Sequence, residues 1–323
     1  MRITQNSMNR TQLMGLNDSL GRLQRTQEML TSGKRLVRPS DSPVDTVSAM
    51  RLRDQQRSLS ALGENIKDGT SRMHAADDAL TRSHTMLNRI RTLVVAGANG
   101  VAGPQQRLAY ASEIEQIRQG MVQLANTQYA GQPVFGGTTA NDNAFDPSTG
   151  KFIGNDEPVL RKVTEAEGSA GDINIGVSGV AAFGDTKPNA AAPDPDPSTT
   201  ILAKGDAATG APSGLIDRVV LELSKADGSF DPATMSAMLS ELDAAQDKLS
   251  AASSTVGARV NRLTGLDDLN GRLDDGTQVA LSKVEDVDFI KAAMDLNIQS
   301  NAYNAALQAS AKILQPSLMD FLR

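Results

Sequence analysis

The sequence predicts a mainly α fold: a long antiparallel helical bundle and coiled coil formed by both chain ends, with a small β-rich inserted domain. Three observations carry this. Apolar residues recur at spacings of three, four and seven in both end regions. Proline is concentrated in the middle, where eight of 13 lie between Pro133 and Pro212. Five aromatic residues, Tyr129, Phe135, Phe145, Phe152 and Phe183, sit in or just before the same region. The ends therefore read as helix and the middle as something else.

The first segment places Leu13, Leu16, Leu20, Leu23 and Leu30 on one amphipathic face. Gly33 can take the left-handed conformation that ends a helix, with Lys34 and Arg35 placed to meet its dipole. Ser42 can then cap the next helix, Pro43 suits its first turn, and Asp45 stands where a capping box wants an acid. That second helix repeats Ile66, Met73, Leu80, Leu87 and Val94 every seven residues. From Val44 to Ala96 it would span roughly 75–80 Å. The Gly97–Pro104 stretch breaks it, and a return helix with a seam of Tyr110, Ile114, Ile117, Met121 and Leu124 completes an αα-hairpin.

From about Gly131 to Ser213 the pattern changes to short alternating runs, Val159 to Val163 and Ile173, Ile175, Val177, separated by turns such as Asp146-Pro147-Ser148-Thr149-Gly150. The tract Asn189 to Pro197 alternates Pro with Ala and Asp, and reads as an exposed stiff loop. Helix returns at Leu215–Leu223. A longer stretch then carries Met235, Leu242, Leu249, Val256 and Leu263 at heptad spacing. The last segment holds Phe289, Leu296 and Tyr303, and continues through Ile313 and Leu314 to Leu318 and Phe321. Three divisions follow: residues 1–43 with 285–323, residues 44–130 with 214–284, and the insert 131–213.

The formal charge is −6, from 32 Lys plus Arg against 38 Asp plus Glu, and no basic patch dominates. No nucleic-acid partner is expected. Mean hydropathy is −0.30 and there is no long apolar run, so no membrane partner is expected either. Without cysteine there are no disulfides, thiolate metal sites or Cys nucleophiles. The stretch Met1 to Ser7 has no apolar signal-peptide core, so no cleavable secretory signal is expected.

Candidate chemistry is sparse. His74 and His84 lie ten positions apart, about 15 Å along one helix, and cannot share a metal. Asp194 and Asp196 lack the Gly turn and downstream acid of a calcium loop. Adjacent carboxylates at Asp77-Asp78 and Asp267-Asp268 point about 100° apart on a helix and are no acid/base pair. Nothing assembles a nucleophile, a base and an orienting group, so no enzyme, cofactor or metal is expected.

The strongest signal is the pair of terminal seams. A helix over Leu13–Leu30 and another over Phe289–Phe321 bury only one face against each other, and Asn297, Gln299, Asn301, Asn304 and Gln308 dilute the second. Such a pair is marginal alone, because helix stability comes mainly from tertiary packing. It gains its missing contacts by stacking against other copies. The assembly interface is therefore assigned to Leu13, Leu16, Leu20, Leu23, Leu30, Phe289, Leu296, Tyr303, Ile313, Leu314, Leu318 and Phe321.

Several segments resemble one family. Met1-Arg2-Ile3-Thr4, Leu30-Thr31-Ser32-Gly33-Lys34-Arg35 and Pro39-Ser40-Asp41-Ser42-Pro43 resemble the N-terminal signature of the bacterial flagellin superfamily. Glu285-Asp286-Val287-Asp288-Phe289 and the ending Ile313-Leu314-Gln315-Pro316-Ser317-Leu318 resemble its C-terminal one. Gly131-Gln132-Pro133-Val134-Phe135-Gly136-Gly137-Thr138, followed by Phe145, resembles the hook-filament junction branch, the L-type hook-associated proteins, rather than flagellin proper. The tract from Gly184 to Pro212 has no counterpart.

The resemblance implies a non-enzymatic structural adaptor of the extracellular bacterial flagellum. It implies an inner coiled-coil layer of paired termini, a layer of long helices and an outward insert. The implied partners are flagellin, the other hook-associated junction protein, further copies of the chain in a ring, and a cytoplasmic export chaperone on the C-terminal segment. Export is implied through the flagellar type III apparatus. Two rival readings stand beside it: a flagellin, the filament subunit itself, or a filament-borne module whose insert binds glycans.

Overall fold

The computed structural model describes residues 5–99, 102–164, 171–184, 200–205, 214–225 and 229–314, with backbone alone at 5–9 and 312–314. The Pro/Asp tract 189–197, Leu318 and Phe321 lie outside the described residues. The chain is mainly α. In order come α1 (Gln5–Ser32), α2 (Pro43–Ala98), α3 (Pro104–Ala125), β1 (Gln128–Tyr129), β2 (Gln132–Pro133), β3 (Leu160–Lys162), β4 (Asp172–Asn174), α4 (Gly179–Phe183), α5 (Leu215–Leu223), α6 (Pro232–Glu285) and α7 (Phe289–Leu314). The described residues fall into two compact units: those up to Ser60 together with those from Arg272 onward, and Ala61–Gly271.

The larger unit holds the helical hairpin. Heptad positions Ile66, Met73, Leu80, Leu87 and Val94 of α2 are all buried, as are Ile114 and Met121 of α3. On α6, Met235, Leu242, Leu249, Val256 and Leu263 are buried every seventh residue. Burial of one such side chain stabilises by about 1.5–3 kcal/mol, so a seam of this length fixes the pairing. Polar contacts give the direction. Arg91 meets Asp243 at 2.8 Å, Gln246 donates to Asn88 at 2.7 Å, and Ser253 donates to Asp77 at 3.0 Å. As numbers rise on α2 they fall on α6, so the two run antiparallel. Arg89 meets Glu113 at 2.7 Å, which closes the α2–α3 hairpin in the same sense.

The break in the hairpin forms as the glycine-proline run requires. Gly103 stands at the N-cap of α3, and Gln106 accepts from its backbone N–H at 3.3 Å. Pro104 takes the first helical position, where no amide donor is needed.

The insert is built on rings more than strands. Among the described residues the β content in and just before it is two short antiparallel pairs, β1–β2 and β3–β4, with an isolated Phe145↔Phe152 bridge; the second pair has the register Leu160↔Asn174, Arg161↔Ile173, Lys162↔Asp172. Phe135, Phe145, Phe152 and Phe183 form a buried edge-to-face cluster with centroid separations of 5.2–5.6 Å. Two buried arginines attach the insert to the helices. Arg72 of α2 donates to the Pro133 carbonyl at 2.9 Å, and burial lowers its pKa. Arg118 of α3 donates to the Leu202 carbonyl at 3.1 Å and pairs with Glu115 at 2.8 Å. That hydrogen bond from Arg118 holds the Glu115 carboxyl below its ordinary pKa, against the opposing effect of burial. Gly150, at φ +64, lies where a Cβ would collide with the Leu202 carbonyl, so the loop needs glycine there.

Candidate assembly interface

The smaller unit contains the chain ends. α1 closes at Gly33, whose φ of +71 is the left-handed conformation expected of a helix-ending glycine. Beyond it the chain meets the junction between α6 and α7 and makes a short antiparallel bridge, Lys34 opposite Asp286. The Arg35 amide donates to the Glu285 carbonyl at 2.6 Å, and the Val287 amide to the Gly33 carbonyl at 3.0 Å. Both terminal helices therefore depart from one point.

A buried carboxylate sits at that point. Glu285 is buried while Lys34 lies 3.0 Å away and Arg53 of α2 2.8 Å away. Burial pushes the Glu285 pKa up, but the hydrogen bonds and charges of Arg53 and Lys34 together outweigh it and hold the carboxyl below its ordinary value. Arg35 donates to the Val284 carbonyl at 2.7 Å and pairs with Asp45 at 3.0 Å. The sequence assigned Lys34 and Arg35 to the dipole of α1. They instead tie the start of α2 to the end of α6, because Gly33 turns the chain away from the α1 axis.

Ser42 performs the expected capping. It lies before Pro43, and its hydroxyl accepts from the Asp45 amide at 3.4 Å. Hydrogen bonding from Ser42 and then from Arg35 lowers the Asp45 pKa.

α1 and α7 pack along each other. On α1 the shielded positions Gln12, Leu16, Ser19, Leu23, Thr26 and Leu30 follow a strict alternation of four and three. On α7 the positions Ala292, Leu296, Gln299, Tyr303, Ala306 and Ser310 keep the same alternation. This is the spacing of a left-handed two-helix seam. Only Ser19, Thr26 and Ala292 in it fall in the fully buried class. The Thr26 hydroxyl lies 2.9 Å from Oε1 of Gln299 and also reaches the Arg22 carbonyl at 3.1 Å.

Of the residues assigned to assembly, Leu16, Leu20, Leu23, Leu30, Leu296 and Tyr303 are half-buried. Leu13 and Phe289 are different: they are 66% and 58% exposed. The seam enters α1 through Gln12 instead of Leu13. Phe289 stands in the first turn of α7, its ring edge close to Gly33. The backbone of α7 runs through Ile313 and Leu314. Outside the seam, Ile290, Met294 and Ile298 follow one another four residues apart on α7, each more than half exposed. Val44 and Met50 near the start of α2 are equally open.

Sequence reasoning missed Gln12, Ser19, Thr26, Glu285 and Arg53, and read Gln299 only as diluting the seam in which it sits. The seam residues Gln12, Ser19, Thr26 and Gln299 keep the 3–4 spacing, but a search for apolar residues does not assign them to it. Glu285 and Arg53 carry no local signal, since their meeting depends on residues 232 positions apart.

No group of three or more His, Asp or Glu side chains able to hold a metal comes together among the described residues. No described helix is long and apolar enough to cross a membrane. His84 shares a hydrogen bond with Asn88 at 3.1 Å on the same helix.

Comparison with known proteins supplies a context for this interface. Residues 3–140 match the bacterial flagellin N-terminal helical region. Flagellar hook-associated protein 3 of Salmonella typhimurium is 25% identical over 97% of this chain and 95% of its own. Flagellin of Bacillus subtilis is 26% identical over the whole of both chains. Among solved structures, flagellar hook-associated protein-3 of Legionella pneumophila shares the fold at a TM-score of 0.56 and 15% identity, over 73% of this chain and 98% of that one.

Proposed function

We propose, from the premise that the chain is homologous to flagellar hook-associated protein 3 and carries the bacterial flagellin N-terminal helical region, that it is a structural adaptor of the bacterial flagellum. It joins the hook-associated junction to the flagellin filament, and its work is mechanical. The observation that carries this reading is the half-finished state of the terminal helix pair. α1 and α7 shield one face against each other and leave Ile290, Met294 and Ile298 open. A protein with no further partner would gain by replacing that row with polar residues. A subunit that stacks its chain ends against neighbours needs it.

The functional divisions follow. The termini, residues 1–43 with 285–323, stack against further copies of the chain in a ring. The bundle, residues 44–130 with 214–284, forms the next layer, and the insert 131–213 faces outward. Flagellin lies on one side of the ring and the other hook-associated junction protein on the other. Before assembly the C-terminal segment is held by an export chaperone in the cytoplasm, and the chain then leaves through the flagellar export route.

Removing the chain from its bacterium tests the adaptor reading. Cells should keep hooks, lose filaments and shed flagellin into the medium. Full-length filaments on such cells would refute it. The full-length match to Bacillus subtilis flagellin supports a second reading, the filament subunit itself. Antibody against the chain separates the two: one narrow band at the filament base for the adaptor, decoration along the whole filament for flagellin.

A further inference from the structure

We propose that the repeated acidic turns of α6, Leu266-Asp267-Asp268 and Leu273-Asp274-Asp275, dock on a basic cleft in the smaller unit of a second copy of the chain. This deepens the reading that copies stack in a ring, and rests on it.

Charge is divided unevenly along the sequence. Residues 1–60 hold ten Lys plus Arg against five Asp plus Glu, a net +5 in a chain of −6. Part of that excess gathers where α1 gives way to α2. A cleft of about 370 Å³ opens there, lined by the apolar Leu36, Val37 and Met50 together with Lys34, Arg38 and Arg53. A second cleft, of about 700 Å³, shares Lys34, Met50 and Arg53 with the first and adds Arg57. Glu285 lines both, but it is buried and already held by Lys34 and Arg53. Arg38 pairs with Glu28 and Arg57 with Asp54, and their side chains stay 61% and 79% exposed. Ion pairs this exposed are weak, so these guanidinium groups can exchange them for carboxylates of another chain.

The complement sits on α6. The run Leu-Asp-Asp recurs after seven positions, and seven residues return to within about 20° of the starting direction on a helix. The two turns therefore present one surface. Asp267, Asp268 and Asp275 are exposed, and none of the four carboxylates makes an ion pair among the described residues. Leu269 and Leu273 are also open, at 45% and 46%. A Cβ added to Gly265 or Gly276 would meet nothing within 4 Å, so a partner can come close to the helix backbone. From Gly265 to Gly276 the only cation set against the four acids is Arg272. Leucine meets the apolar lining and carboxylate meets guanidinium, in an arrangement that selects one register.

The contact is made between copies. Leu281 and Glu285 of α6 themselves line the second cleft. Within this continuous helix, Asp275 lies about 15 Å and Asp268 about 25 Å from Glu285. A copy cannot bend its own acidic turns into its own cleft. Because the two surfaces differ, the contact is heterologous, and repeated from copy to copy it closes a ring or winds a helix.

The chain has no cysteine, so introduced thiols report on single positions. Full-length Arg38→Cys and Asp268→Cys chains are mixed in equal amounts at low ionic strength and oxidised. The mixed disulfide should exceed each like-with-like product about tenfold, and the preference should fade in high salt, which screens exposed charges. A mixed product only twice as abundant as either like product, the statistical outcome, would overturn the docking. Charge exchange gives a second readout. Sedimentation should show loss of self-association in Asp268→Arg with Asp275→Arg, and in Arg38→Glu with Arg57→Glu. Association should return when these two variants are mixed, because each offers the surface the other needs. A mixture that stays apart while wild type associates would overturn the pairing. Statistical cross-links, with filaments still lost from cells lacking the chain, would sink the docking and leave the adaptor role standing. Full-length filaments on such cells would sink the adaptor role, and the cross-link ratio would still decide whether copies dock in this way.

Discussion

Thr26 and Gln299 face each other across the seam between α1 and α7, hydroxyl to side-chain carbonyl at 2.9 Å. A polar pair inside an apolar helix seam fixes register at a cost in stability, as a buried Asn does in coiled coils. We expect Gln299→Leu alone to leave the Thr26 hydroxyl with only its Arg22 carbonyl partner, loosening the pair by about 1 kcal/mol. The double change Thr26→Leu with Gln299→Leu should tighten it and allow slipped pairings. Amide exchange over residues 19–30 reads the first effect. Cross-linking between cysteines introduced on α1 and α7 reads the second.

Phe289→Asp and Leu296→Asp should behave differently. Phe289 is largely exposed, so a charge there leaves monomer unfolding unchanged but opposes desolvation on assembly. Leu296 is half-buried in the seam, so its replacement weakens the α1–α7 pair as well. Equal loss of monomer stability in both variants would contradict this.

Gly33→Ala should destabilise the smaller unit by about 1–2 kcal/mol, because an L side chain in the left-handed region is strained. Space is not the obstacle: an added Cβ would meet the Phe289 ring at 3.7 Å, an ordinary contact. Gly33→Asn should cost less, since Asn tolerates this conformation better. Thermal unfolding of the three chains gives the order.

Glu285 makes the smaller unit acid-sensitive. Its folded pKa lies below the ordinary value of 4.5, so its favourable contribution is fully present above that value. It is lost as the pH falls through the folded pKa. Glu285→Gln should lower stability near neutral pH and flatten the fall in melting temperature below about pH 4.5. A parallel acid profile in wild type and variant would remove Glu285 as the cause.

In the larger unit, Phe135→Ala should cost about 3–5 kcal/mol by opening a cavity in the ring cluster. Phe135 packs edge-on to Phe183 at 5.4 Å, so the loss should fall most heavily on the insert. Urea unfolding with a reporter in the insert and another on α6 would show whether the two parts separate.

What the sequence made legible follows from periodicity. The sevenfold repeats of α2 and α6 fall on buried positions because a helix presents one face to its partner, and counting finds that face. Strand β3 lay within the alternating run Val159–Val163, whereas β4 overlaps the run Ile173–Val177 only at Ile173 and Asn174. Phe135, Phe145, Phe152 and Phe183 were legible as a group, but their edge-to-face arrangement was not, since it depends on how loops converge. The terminal seam was half legible. Leu16, Leu23 and Leu30 lie in it, but Leu13 does not, because a ladder of leucines at mixed spacings fits two neighbouring stripes and only the partner helix selects one. The Glu285 cluster was hidden altogether, because no local pattern links an acid to a lysine 251 residues away.

The bridge between Lys34 and Asp286 makes everything from one to the other a closed loop whose ends are pinned together. Lengthening a closed loop is thermodynamically cheap, about 0.6 kcal/mol for each doubling. Residues can therefore be added to or removed from the middle of the polypeptide without moving its two ends apart.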